Sequence, residues 1–196
     1  MADRLLIVFE GGPGIGKTTL SRLLAELLER RGRKTCVVWD AVRGIAPVLS
    51  RLFGEWYRAP RELIEYMFLG YQLRRLHECV EADTDTVILD YGVEAPLAYM
   101  EADGVPYPKE LEELAEAVLS GWRVVVFILE QPVAYSTDVV RWEDPRRAQG
   151  YARRLIARAL SLVERLGAVA YVLPEKPSVE ERALLAPKNA RARRIS

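Results

Sequence analysis

The stretch from Gly11 to Thr18, Gly-Gly-Pro-Gly-Ile-Gly-Lys-Thr, lies between an apolar run ending at Phe9 and a helix-patterned segment that begins near Thr18. The spacing of Gly11, four residues, then Gly16-Lys17-Thr18 reads as a phosphate-binding loop, because glycines let successive backbone N–H groups converge on phosphate oxygens. Lys17 can then reach the terminal phosphates of a nucleotide, and the Thr18 hydroxyl can ligate magnesium. The helix that follows turns its positive end, worth roughly half an elementary charge, toward the same anion. The expected nucleotide site is therefore Gly11, Gly12, Pro13, Gly14, Ile15, Gly16, Lys17, Thr18 and Thr19. A glycine-rich turn with no ligand leaves the closing lysine and hydroxyl without a purpose.

Such a loop requires a strand before it and a helix after it, and the rest of the chain repeats that alternation. Short apolar runs at Leu5–Phe9, Thr35–Trp39, Thr86–Leu89, Val124–Leu129 and Val169–Leu173 are apolar at adjacent positions, as in strands buried on both faces of a parallel sheet. Between them, Leu20, Leu23, Leu24, Leu27 and Leu28 form a helical stripe that Gly32 closes. A long helix is predicted from Pro60 to about Val80, another around Leu111–Val118 and a last one around Ala152–Leu166. This order predicts an α/β fold: a three-layer P-loop NTPase sandwich with a five-stranded parallel sheet and a lid segment at about 131–148. With 196 residues, the span 1–196 is expected to form a single domain.

Bulk composition removes several classes of function. No apolar run approaches the ~20 residues of a membrane span, and the opening Met-Ala-Asp-Arg lacks a secretory pattern, so a cytoplasmic protein with no membrane partner is expected. A formal net charge of zero argues against a general nucleic-acid binder, and no nucleic-acid partner is expected. The basic tail at about 187–196, with Arg191-Ala192-Arg193-Arg194, reads as a solvated, frayed end. Cys36 and Cys79 fall in an apparent strand and helix without metal-ligand spacing, so they are expected to be reduced and packed. Arginine dominates the basic residues while Asn and Gln are scarce, a bias compatible with a heat-adapted source or with high-GC coding.

Ligands of such sheets bind beyond the carboxyl ends of the strands. Asp90 follows Val87-Ile88-Leu89 and is the expected magnesium carboxylate beside Thr18. Asp40, at the end of the second strand, could accept a proton from a substrate hydroxyl; a helix or turn cap is an equally open reading. Arg43 nearby could bind a substrate anion. The polar, arginine-rich stretch Tyr135–Arg147 is the candidate lid, and Arg141 is its candidate for stabilising charge on a moving phosphoryl group. Arg146 and Arg147 can instead pair with Glu143 and Asp144. His77, the only histidine, reads as structural or solvated.

Exclusion narrows the loop's meaning. A GTPase needs Asp and Gly separated by two residues, whereas Asp90-Tyr91-Gly92-Val93 places glycine one position early, and no Asn-Lys-x-Asp segment is present. Where oligomeric hydrolysing ATPases carry a water-activating Glu after the magnesium Asp, this chain has Tyr91. A kinase that excludes water and closes over two substrates fits better, with ATP and Mg2+ as the expected cofactors and a small-molecule acceptor as partner. The competing class is a nucleotide-binding regulatory ATPase or GTPase with no small-molecule acceptor.

Val8-Phe9-Glu10-Gly11-Gly12, Gly16-Lys17-Thr18-Thr19-Leu20, Leu23-Leu24-Ala25 and the Gly32 turn resemble the opening of thymidylate kinases, and Ala95-Pro96-Leu97-Ala98-Tyr99 extends the likeness. In the C-terminal half, Thr137 to Asp144, Leu166-Gly167, Pro174 and Val179-Glu180-Glu181-Arg182 are similar to AAA-type kinases related to bacterial nicotinamide riboside kinase. The resemblance implies phosphoryl transfer to a nucleoside- or nucleotide-like acceptor, allows a homodimer, and gives Tyr66 the place of a ring-stacking aromatic and Gln72 that of a base-contacting glutamine. Trp56 and Tyr57 are further candidate walls for a ring, with a place in the core as the alternative. It also implies arginines that this chain lacks: Tyr91 stands in place of one and Gly70 of another. Without them an acceptor's phosphate dianion loses its charge partners, which argues against thymidine monophosphate itself.

Overall fold

The computed structural model describes residues 4–129 and 145–173. Its strands are β1 (Leu5–Glu10), β2 (Thr35–Val38), β3 (Thr86–Leu89), β4 (Arg123–Leu129) and β5 (Val169–Leu173), each within a residue of its expected bounds. All pairings are parallel, with Leu6 opposite both Val87 and Val124, and the order is β2-β3-β1-β4-β5. The chain leaves central β1 for the β2 edge, returns to β3, and then builds outward on the other side. The phosphate loop thus sits where the winding direction reverses, the usual crevice of an open parallel sheet.

Side-chain alternation separates two cores. Leu6, Val8, Val87 and Val126 pack with Leu76 of α3 (Arg61–Glu81), Leu119 of α5 (Glu110–Ser120) and Leu162 of α6 (Pro145–Leu166). Ile7, Phe9 and Phe127 face the other way, onto Leu20 and Leu24 of α1 (Lys17–Glu29). Helices on both faces explain why the strands are apolar at consecutive positions. No helix among the described residues is long and apolar enough to cross a membrane.

Two helices lie where the sequence reading has none. α2 (Ala41–Phe53) contains Gly44 and Pro47, which obscure its apolar spacing, yet Ala46 and Leu49 pack with Trp56, Ile64 and Phe68 in a third cluster. A side chain at Gly44 would come within 2.9 Å of the Tyr71 ring, so the missing Cβ permits α2 to lie against α3. α4 (Ala95–Ala102) opens on an Ala-Pro pair and is buried along most of its length, which leaves no polar face to reveal its period.

The cysteines correct a sequence expectation. Cys36 of β2 and Cys79 of α3 form a disulfide with their Cα atoms 5.7 Å apart, an ordinary separation for a bridge, and neither is a free thiol. Their contact arises because α3 crosses β2, and sequence spacing does not encode that crossing. Residues 145–148 of the expected lid segment form the first turn of α6. Its remainder, including Arg141, lies outside the described residues, as does the tail at 187–196.

Candidate functional site

Three glycines shape the loop, Gly11, Gly14 and Gly16, with φ of 140°, 82° and 92°. A side chain at Gly11 would stand 2.4 Å from Ile15 Cδ1 and 2.9 Å from Leu129 O, so the turn closes only on glycine. Lys17 opens α1 and is buried. Its Nζ donates to Gly11 O at 2.8 Å and Gly12 O at 2.6 Å and lies 3.7 Å above the centre of the Tyr91 ring. Tyr91, standing where the resemblance implies arginine, is therefore a buried platform beneath the loop lysine. Burial holds its phenol well above the ordinary tyrosine range.

The Thr18 hydroxyl donates to Asp90 Oδ2 at 2.7 Å. Asp90 is fully buried at the end of β3, its other oxygen Oδ1 has no partner among the described residues, and burial raises its pKa. One hydroxyl and one carboxylate suit a small hard cation that completes its shell with phosphate and water oxygens. Among the described residues no three or more acid, His or Cys side chains are grouped so that they could hold a metal ion by themselves. Sequence reasoning assigns no role to Glu10, just before the loop. Its Oε1 accepts from Gly92 N at 2.7 Å, and burial lifts its carboxyl to about 7. A side chain at Gly92 would approach that oxygen to 2.3 Å, so Gly92 is what lets the strand-end acid reach across from β1 to the segment after β3.

Asp40 caps α2, accepting from Val42 N at 3.0 Å, and also faces the cleft. Burial pushes its carboxyl up to about 6, the Val42 N–H opposes that rise, and the negative charge of Asp90 adds to it. Of the two readings left open by the sequence, the structure shows the cap, in a side chain that also lines the cleft. Arg43, exposed on the first turn of α2, also lines the cleft.

The cleft encloses about 430 Å3. Besides the loop it is walled by Trp56, Phe68, Gln72 and Tyr99, with Glu65 and Arg61 alongside. Gln72 takes its expected place on the wall and donates through Nε2 to Tyr91 O at 3.2 Å. Tyr66 does not line the cleft: two residues from Phe68 it points roughly 200° away around the helix, and Phe68 supplies the ring instead. Trp56 lines the cleft whereas Tyr57 does not. His77 is an exposed surface residue, 3.2 Å from Glu81.

Beneath the wall runs a network that the sequence does not show. Arg61 donates to Glu65 Oε1 at 2.8 Å, Asp103 Oδ2 at 2.6 Å and the Tyr151 hydroxyl at 2.8 Å, while Arg147 joins it through Asp103 Oδ1 at 2.8 Å. Burial lifts the Glu65 carboxyl to about 8 against the pull of Arg61. Burial also works upward on Asp103, but Arg147 and Arg61 outweigh it and hold that carboxyl low. These partners come from α3, the end of α4 and the start of α6, so only the assembled fold brings them together.

Comparison with known proteins follows the same lines. A family model described as an AAA domain matches residues 6–182. No curated protein sequence matches the chain. Among solved structures, a thymidylate kinase from Ehrlichia chaffeensis superposes with a TM-score of 0.64 at 16% sequence identity, covering 94% of this chain and 97% of that one. At that identity the likeness is one of fold: an α/β P-loop NTPase sheet of order 2-3-1-4-5.

Proposed function

The chain belongs to the AAA domain family, and from that premise we propose that it is an ATP- and Mg2+-dependent kinase that phosphorylates a hydroxyl of a small nucleoside- or nucleotide-like acceptor. The observation that carries this reading is the cleft itself: a phosphate loop, a strand-end carboxylate poised near neutrality and an aromatic wall share one cavity. A site built only to hydrolyse nucleotide has no need of an aromatic wall facing the phosphate loop across the same cleft.

In this reading the loop N–H groups and Lys17 hold the donor's terminal phosphates, and Tyr91 supports the lysine from below. Thr18 and Asp90 would hold magnesium, which when bound draws charge away from the transferring group. The Asp40 carboxylate takes the proton of the acceptor hydroxyl as its oxygen bonds to the γ-phosphorus. The bond from that phosphorus to the bridging oxygen breaks, and its electron pair leaves with ADP. Trp56, Phe68 and Tyr91 keep water from competing as the nucleophile. Arg43 sits at the mouth to meet an acceptor's polar end, and the charge-stabilising role of Arg141 belongs to this proposal as well. The reading is of one kinase unit over residues 1–196, working in the cytoplasm.

ADP formation, measured with nucleosides, nucleotides and vitamin-like riboside acceptors, tests the assignment. The expected result is turnover stimulated well above the acceptor-free rate by at least one acceptor, with a phosphorylated product. If no acceptor stimulates turnover, while nucleotide shifts oligomeric state or partner affinity, the protein is a regulator and the kinase reading is wrong.

A further inference from the structure

Arg61, Glu65, Phe68 and Gln72 follow one another along α3 at steps of four, three and four residues, and all four line the cleft. They therefore form one stripe of the helix, with the Phe68 ring at its centre. On either side of that ring is a buried side chain with an oxygen that has no partner among the described residues: Glu65 Oε2 and Gln72 Oε1, in residues 1% and 4% exposed. Their other polar atoms are committed, Glu65 Oε1 to Arg61 Nη1 and Gln72 Nε2 to Tyr91 O, which fixes how each side chain is turned. Buried acceptors left without donors are costly and uncommon in folded proteins. Seven residues separate the two, about 10 Å along the helix axis, a span comparable to a heterocycle lying over Phe68. Arg61 adds no spare positive charge to this wall, because Glu65, Asp103 and Tyr151 engage it.

We propose that Glu65 is the specificity-determining residue of this stripe, making it select for the acceptor an uncharged heterocycle that presents N–H donors. The inference rests on the kinase reading for the existence of a second substrate. A ring stacked on Phe68 gains its apolar contact there, while its amino or ring N–H groups satisfy Glu65 Oε2 and Gln72 Oε1. With Glu65 ionised, a phosphate or carboxylate group in the same place meets two acceptor oxygens and is rejected.

Calorimetric titration of the full chain in the presence of ADP tests this, at about pH 9 so that the Glu65 carboxyl is ionised. The probes are two pairs differing by one amino group: adenosine against purine riboside, and cytidine against 2-pyrimidinone riboside. At least one amino-bearing member is expected to bind about tenfold or more tightly than its amino-less partner. Glu65→Gln should reduce that preference to within threefold, because with the amide oxygen kept on Arg61 its NH2 faces the ligand's donor. Gln72→Met provides the same comparison if Glu65→Gln does not fold. Equal binding within both pairs, or no binding by any of the four, overturns the proposal. ATP-dependent product formation, measured alongside, separates the two claims: discrimination without transfer sinks the kinase reading and leaves the subsite, and transfer without discrimination does the reverse.

Discussion

Asp40 carries two duties that pull its acidity in opposite directions. As the cap of α2 it accepts the Val42 N–H, which favours the carboxylate, and its burial beside Asp90 favours the neutral acid and prevails. The ordinary value of 3.8 rises to about 6. A general base must be unprotonated, so transfer should climb as pH rises from 5 to 7, reaching half its plateau near the pKa of Asp40. Asp40→Asn should lower kcat by roughly 10² to 10⁴ with ATP binding retained and should remove that acid limb. An unchanged rate, or an acid limb that survives, takes Asp40 out of the mechanism. The loop residues, Asp40 and Asp90 are readable as sequence because each stands at a motif position or a strand end, and Gln72 only through the family resemblance. Glu65 and Phe68 are not, since nothing in their neighbours says which side of α3 meets the nucleotide loop, and the choice of Tyr66 instead of Phe68 turns on that rotation alone.

At the level of elements, two cross-links hold the cleft wall and the rear of the sheet. The Cys36–Cys79 bridge spans 43 residues and fastens β2, which ends just before Asp40, to α3, which carries the cleft wall. On a chain-entropy account, closing that loop contributes roughly 4 kcal/mol. Reduction with dithiothreitol, or Cys79→Ser, should therefore lower the urea midpoint by an amount of that order, and an unmoved midpoint would show that the bridge adds nothing in solution. Behind the sheet, Arg158 of α6 is itself 9% exposed and reaches Glu101 at 2.8 Å, Glu112 at 2.6 Å and Glu94 at 3.7 Å, tying α4 and α5 to α6. Arg158→Ala strands Glu94 as a buried charge with only Arg165 beside it, and should cost about 3–5 kcal/mol in chemical unfolding. A loss under about 1 kcal/mol would mean that the network is merely solvated charge.

For the whole molecule, the nucleotide is expected to act as a stabiliser, since it bridges β1, α1 and the strand ends that only the folded state brings together. At a hundred times its Kd, ATP with Mg2+ should add about 2.7 kcal/mol of stability, seen as a raised melting temperature. Lys17→Ala should abolish most of that shift, and EDTA should reduce it by removing the magnesium proposed to bind at Thr18 and Asp90. A shift indifferent to both would place the nucleotide elsewhere on the protein. What the sequence determined by itself was the set of features with local causes: five strands marked by consecutive apolar residues, four amphipathic helices, a phosphate loop whose glycines and lysine are adjacent in the chain, and the carboxylates at strand ends. The tertiary structure decided everything that depends on which surfaces meet: the disulfide, the helices α2 and α4, the Tyr91 platform under Lys17, the Glu10–Gly92 contact and the stripe of α3 that walls the cleft. Such contacts join residues 19 to 90 positions apart, and packing of the helices on a twisted sheet, not spacing along the chain, brings them within bonding distance.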